Sequence, residues 1–113
     1  MHITIFQIDI DRDNKRVHKG MDSLLYQPYN PKTFSMRNYQ IVHINFKFWD
    51  IEEKFFESIL YQIEHDFKSF YTCEERPQNG IVVGDVVKIG RRIYFFNGES
   101  GWKYVGLDKP RRW

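Results

Sequence analysis

Three sets of residues have side chains that could do chemistry. Asp9, Asp11 and Asp13 alternate as D-x-D-x-D, the opening of a calcium loop, where alternate carboxylates converge on one hard cation. Such a loop then needs Gly at its sixth position and Glu at its twelfth, where this chain has Asn14 and Gly20. The pattern therefore reads as an acidic turn after a strand. His2, His18, His43 and His65 are scattered, and Cys73 has no C-x-x-C partner, so the ligand spacing of a structural zinc site is missing. A nucleophilic Cys73 would need a base and an electropositive setting, and the adjacent Glu74 and Glu75 oppose a low thiol pKa. The chain has no P-loop, dinucleotide fingerprint or G-x-S-x-G elbow, and no pair of carboxylates is singled out as acid and base. The expectation is a protein without catalytic residues, metal or cofactor.

The third set is better suited to binding. Tyr94, Phe95, Phe96, Trp102 and Tyr104 lie among Lys88, Arg91, Arg92 and Lys103. Aromatics with arginine are the residue types enriched at protein hot spots, and they also stack on single-stranded bases. Strand alternation puts Tyr94 and Phe96 on one face and Phe95 on the other, so part of the set should face away from a core. Arg111, Arg112 and Trp113 form a second candidate anchor at the end of the chain. The competing structural reading is two-sided burial of the aromatics plus a frayed end.

The elements that must position these residues can be read in order. Residues 2–10 (HITIFQIDI) are β-branched and aromatic, with a phase break at Phe6: the strand is either buried on both faces or bulged there. Asp11, Asp13 and Asn14 end it in a polar turn, and residues 15–38 show little pattern. Met21, Leu24, Leu25 and Tyr26 suit a short turn of helix or strand, and Pro28, Asn30 and Pro31 impose a loop. In 39–48, Val42, Ile44, Phe46 and Phe48 share one face and His43, Asn45 and Lys47 the other, as in a half-buried antiparallel strand. Asp50 with Glu53 makes a capping box, and Ile51, Phe55, Phe56, Ile59, Leu60, Ile63 and Phe67 then recur at spacings of three and four. This spacing predicts one long amphipathic helix over about 51–70, with Glu57, Gln62, Glu64 and Lys68 on its polar face. Beyond Pro77 the chain reads as a three-stranded meander. Residues 81–83 and 86–89 are split by Gly84-Asp85, Gly90-Arg91-Arg92 turns into 93–96, and Asn97-Gly98 turns into 101–107. Residues 108–113, with Pro110, should form a loose tail.

The expected fold is α+β: N-terminal strand, long helix and antiparallel sheet in a single domain over 1–113. A chain of 113 residues is hard to divide into two cores. Its 18% aromatic content allows a dense core, with a surplus for an interface. One cysteine permits no internal disulfide, and the start MHITIFQIDIDRD lacks the basic region, apolar run and cleavage site of a signal peptide. The expected location is the cytoplasm, with no membrane partner. Residues 1–79 carry ten Lys/Arg and twelve Asp/Glu, whereas residues 80–113 carry seven and three. This modest positive pole ranks as solvated surface first, contact for an acidic protein second and nucleic-acid contact third.

The order of short motifs resembles the YodL-like domain family. The N-terminal part has Gln7-Ile8-Asp9, Arg12-Asp13, Arg16-Val17 and Asp22-Ser23-Leu24. The C-terminal part has Val82-Val83-Gly84-Asp85-Val86-Val87, Tyr94-Phe95 and Gly101-Trp102-Lys103-Tyr104-Val105, so the resemblance spans roughly residues 3–107. The chain departs from the family pattern where Gln78-Asn79-Gly80-Ile81 replaces a serine-rich approach to the Gly84-Asp85 step, and in a longer, more aromatic helix. The resemblance implies a small domain of low-GC Gram-positive bacteria and their mobile elements, without known catalytic residues. One member of that family is linked to interference with the host's actin-like shape machinery.

The expected function is that of a small non-enzymatic modulator from a bacterium, phage or mobile element, docking on a host protein; an anti-defence or anti-CRISPR inhibitor is one form of it. The expected partner-binding residues are Arg91, Arg92, Tyr94, Phe96, Trp102, Lys103, Tyr104, Arg111, Arg112 and Trp113. The alternative is a nucleic-acid-binding domain using the basic aromatic meander.

Overall fold

A computed structural model describes residues 2–45, 52–65 and 80–108. These form an α+β structure around one five-stranded antiparallel sheet of order β2-β1-β3-β4-β5. In chain order the elements are β1 (Ile3–Ile8), α1 (Ile10–His18), β2 (Tyr39–Asn45), α2 (Phe56–His65), β3 (Val86–Ile89), β4 (Arg92–Phe96) and β5 (Trp102–Leu107). The expected three-stranded meander is β3-β4-β5; of its first stretch only 86–89 is strand, and 81–83 leads into the turn before it.

All six residues of β1 are buried because it lies inside the sheet, between β2 and β3, with both faces covered. Ile3 and Ile5 join Val87 and Ile89 in a core closed by Phe56, Ile59, Leu60 and Ile63 of α2. Phe6 and Ile8 join Tyr39, Val86, Ile93 and Phe95 in a second core, against which Leu24, Leu25, Tyr29, Phe34 and Met36 pack. The segment 21–38 therefore does the work of a second helical layer. Burial of each such aliphatic side chain stabilises by about 1.5–3 kcal/mol relative to exposure.

The phase break at Phe6 thus reflects two-sided burial, and a register shift also lies opposite it. Ile5 pairs with His43 and Phe6 with Ile41, so Val42 is the extra residue of a bulge in β2. This corrects the expected single buried face of 39–48. Val42 is 1% exposed against α2, whereas Ile44, expected beside it, is 38% exposed. A bulge inserts one residue and so inverts the alternation across it. Phe46 and Phe48 of that pattern lie outside the described residues.

The acidic turn expected after β1 is instead the helix α1. Asp9 caps it, its side chain accepting from the Arg12 amide, with Asp11 and Asp13 in the first turn and Lys15, Arg16 and His18 in the last. Both charge sets complement the helix dipole, which favours a helix without a long apolar stripe. Asp13 is buried; its carboxylate accepts from the Ser23 hydroxyl at 2.6 Å and the Leu24 amide at 2.7 Å, fixing the start of the covering segment.

The long helix is also shorter in its described part. A 3-10 turn, Glu53–Phe55, runs into α2, with Glu52 at its N-cap making no side-chain capping bond. Asp50 and residues 66–70 lie outside the described residues. Phe55, counted in the apolar stripe, is 50% exposed because the tighter turn rotates it off the helix's buried face.

Candidate functional site

The expected binding residues do not form one patch. Alternation along β4 and β5 divides them between the two faces of the sheet, and a register shift at Val105 adjusts the outer strand: Ile93 pairs with Gly106 and Tyr94 with Tyr104. Tyr94 and Trp102 pack on the α2 side. Phe95 lies on the opposite side, edge-on to Tyr29 and Phe34 at ring distances of 5.4 and 6.0 Å. Lys103 is on that side too, its ammonium 5.5 Å from the Tyr29 ring. Phe95, the aromatic of this set on the far face, is therefore covered by segment 21–38.

On the α2 side, Tyr94, Trp102 and Tyr104 line a groove of about 400 Å³ together with Glu57, Leu60, Tyr61 and Glu64 of the helix. Trp102 stacks on buried Phe96 at 4.9 Å, and Tyr94 lies 5.5 Å from Tyr104. Phe96 thus supports the groove from beneath. Tyr61 and Tyr104 are 66% and 48% exposed on opposite walls. The Trp102 indole Nε1 is buried and, among the described residues, has no hydrogen-bond partner. A buried N–H left unpaired costs about 1–3 kcal/mol.

The charges around the groove are arranged differently from the expected basic rim. Arg92 donates to Glu53 at 2.8 Å, and its guanidinium lies 5.5 Å from the Phe56 ring and 5.7 Å from the Tyr104 ring. It joins β4 to the start of the helical segment. Burial raises the Tyr94 phenol above its ordinary pKa, with Arg92 opposing the shift. Lys88 pairs with Asp108 at 3.1 Å, and Arg91 donates to the Asp108 carbonyl at 3.0 Å. Asp108, placed by sequence in a loose tail, is thus tied to β3 and to the turn after it. The charged side chains lining the groove itself are Glu57 and Glu64. Arg111, Arg112 and Trp113 lie outside the described residues, as does Cys73.

Tyr61, Glu57 and Glu64 were not among the expected site residues. Their positions 57, 61 and 64 form one flank of α2 at helical spacing, beside the apolar stripe. An exposed tyrosine between two glutamates on that flank was the available signal.

The motif residues of the N- and C-terminal parts meet in the structure, away from the groove. Gln7 Nε2 donates to Asp85 Oδ2 and to the Gly80 carbonyl, each at 2.9 Å; Asp85 Oδ2 also accepts from the Val82 amide at 2.9 Å. The Tyr39 hydroxyl donates to the Gly84 carbonyl at 2.7 Å. Burial pushes the Asp85 carboxyl up to about 7, against the lowering effect of the Gln7 and Val82 bonds. The Gln7 and Tyr39 bonds hold the loop before β3 to the sheet, and the Val82–Asp85 bond closes that loop on itself, a structural role. Among the described residues, no cluster of His, Cys, Asp or Glu could hold a metal ion, and no helix is long and apolar enough to cross a membrane. No family model, curated protein or solved structure matches the chain.

Proposed function

We propose that this protein is a small non-enzymatic docking domain of the YodL-like kind, from a bacterium or a mobile element, that binds a host protein through the groove between α2 and β5. The observation that carries the reading is the convergence of Tyr61, Tyr94, Trp102 and Tyr104 on one groove, with Tyr61 and Tyr104 largely exposed on its walls. Aromatic walls with few charges resemble the anchor pockets of protein interfaces, where a partner's apolar side chain fills the groove. Glu57 and Glu64 favour a partner segment carrying apolar and basic side chains. The nucleic-acid alternative loses its platform. Arg92 and Lys88 are engaged with carboxylates, and Lys103 stands on the other face from Trp102.

The test is affinity capture from bacterial lysate with the wild-type chain and with a Tyr61→Ala/Tyr104→Ala variant whose circular dichroism is unchanged. Recovery of one stoichiometric protein by the wild type, lost with the variant, is the expected result. Equal recovery by both, or recovery only of nuclease-sensitive material, would sink the reading.

A further inference from the structure

Among the described residues, the strongest concentration of positive charge lies along α1 and its C-cap. Arg12, Lys15, Arg16 and Lys19 follow at i, i+3, i+4 and i+7, so they share one face over about 10 Å of helix. Arg37, from the 3-10 turn before β2, joins them around one open concavity of about 440 Å³. Its remaining lining, Met21 and Asn38, carries no charge.

Two features separate this face from an ordinary solvated one. Among the described residues, Lys15, Arg16, Lys19 and Arg37 form no ion pair with a carboxylate. Of the nearby acids, Asp9, 3.7 Å from Arg12, is committed to the helix cap, Asp13 is buried on Ser23 and Leu24, and Asp11 and Asp22 stand outside the lining of the concavity. Arg12 and Arg16 are like charges at i,i+4 within the helix, an arrangement that disfavours it, whereas Asp11–Lys15 at the same spacing favours it. Helix-dipole complementarity accounts for the last turn, but not for Arg12 or for Arg37 on a separate element. The second feature is internal support. Arg12 donates to the Arg37 carbonyl, and Arg16 donates to the Asp22 carbonyl at 3.4 Å while its buried Nε has no partner among the described residues. Two guanidiniums are thus held in place with donors to spare.

We propose that this concavity is an anion site for a ligand bearing neighbouring phosphate groups. Five cations around one small concavity call for high charge density, which phosphates supply from a few atoms and carboxylate side chains supply only one residue at a time. The arginine forks match phosphate oxygens bidentately. The absence of an aromatic residue from the lining means that recognition falls on the phosphates and not on a stacked base. The site lies on other elements than the aromatic groove and stands independently of it.

Titration calorimetry of the full chain with inorganic tripolyphosphate tests this, beside a short single-stranded oligodeoxynucleotide and polyglutamate. The combined variant Lys15→Gln/Lys19→Gln/Arg37→Gln changes exposed or half-exposed side chains, and circular dichroism checks its fold. Expected is tripolyphosphate binding that weakens several-fold between about 50 and about 200 mM salt and at least about tenfold in the variant. An Arg91→Gln/Lys103→Gln control should bind like wild type. Oligonucleotide binding with the same variant sensitivity would make a nucleic-acid backbone the source of the phosphates; tripolyphosphate binding alone would make it a free polyphosphate. No binding of either, unchanged binding by the variant, or polyglutamate binding as tight as tripolyphosphate would overturn the proposal.

Discussion

The carboxamide of Gln7, inside the central strand, donates to the carboxylate of Asp85 across 2.9 Å and 78 residues of chain, and both side chains are fully enclosed. A charge in that place is opposed by desolvation, and only hydrogen bonds from Gln7 and Val82 favour it. The carboxyl therefore titrates near about 7 in the folded protein against an ordinary 3.8.

The sign follows from proton binding. Between those two values the folded state retains a proton that the unfolded chain has released, so this group's contribution to stability falls as pH rises. The contribution is greatest below the ordinary value and levels off above about 7, a total change on the order of a few kcal/mol. Asp85→Asn keeps an oxygen to accept from Gln7 and Val82 and cannot ionise. Urea denaturation at a series of pH values should show the wild type losing stability over that window and the Asn variant holding a flatter profile, more stable than wild type above pH about 8. Parallel profiles would refute the buried-charge account.

Asp13→Ala should loosen the cover over the Phe6–Phe95 side of the sheet. The substitution strands the Leu24 amide and the Ser23 hydroxyl, both now bonded to one carboxylate. A loss of about 2–3 kcal/mol is expected, since hydrogen bonds to a charged acceptor are the stronger kind. Hydrogen exchange would report it first in residues 21–36, with β3 and β4 less affected. Uniform acceleration across the sheet would show that the segment is not a separable layer.

Gly98 follows β4 at φ +70, and a Cβ built there would stand 2.9 Å from Val83 Cγ2. Gly98→Ala combines a left-handed conformation with a contact that real side chains do not show, so about 1–3 kcal/mol should be lost. The denaturation midpoint should fall with its slope unchanged. Gly101 has open space around it but sits at φ +77 and ψ −152, a region essentially confined to glycine, so Gly101→Ala should destabilise through backbone strain alone.

The residues themselves show why some of this was legible and some was not. The Ile59–Leu60–Ile63 stripe and the alternation of β4 reflect local periodicity, which sequence displays directly. The bulge at Val42 could not be seen, because it depends on which residue of β1 faces each residue of β2, partners 31 or more positions apart, from Ile8 with Tyr39 outward. Helix α1 was hidden by composition: its stability comes from the Asp9 cap and end charges, while its one buried side chain is an aspartate. The binding residues were chosen for type and proximity in sequence. Strand alternation put Lys103 and Trp102 on opposite faces, and the packing of α2 on the sheet brought Tyr61 across from Tyr104.

That rearrangement changes which substitution is the clean probe of the groove. Trp102 packs on Phe96, and its removal would damage the core as well as any interface. Tyr61 touches His65 on its own helix at a ring distance of 4.2 Å and is otherwise open, so Tyr61→Ala should change stability by no more than about 0.5 kcal/mol. If the groove seats a partner's side chain, the same substitution should weaken binding by about 1–2 kcal/mol, roughly a tenfold rise in Kd. Tyr61→Phe tests the phenol alone and should retain most of the affinity if the ring is the contact. Thermal unfolding and calorimetry on the two variants separate these effects. Full affinity in Tyr61→Ala would place the partner elsewhere on the molecule.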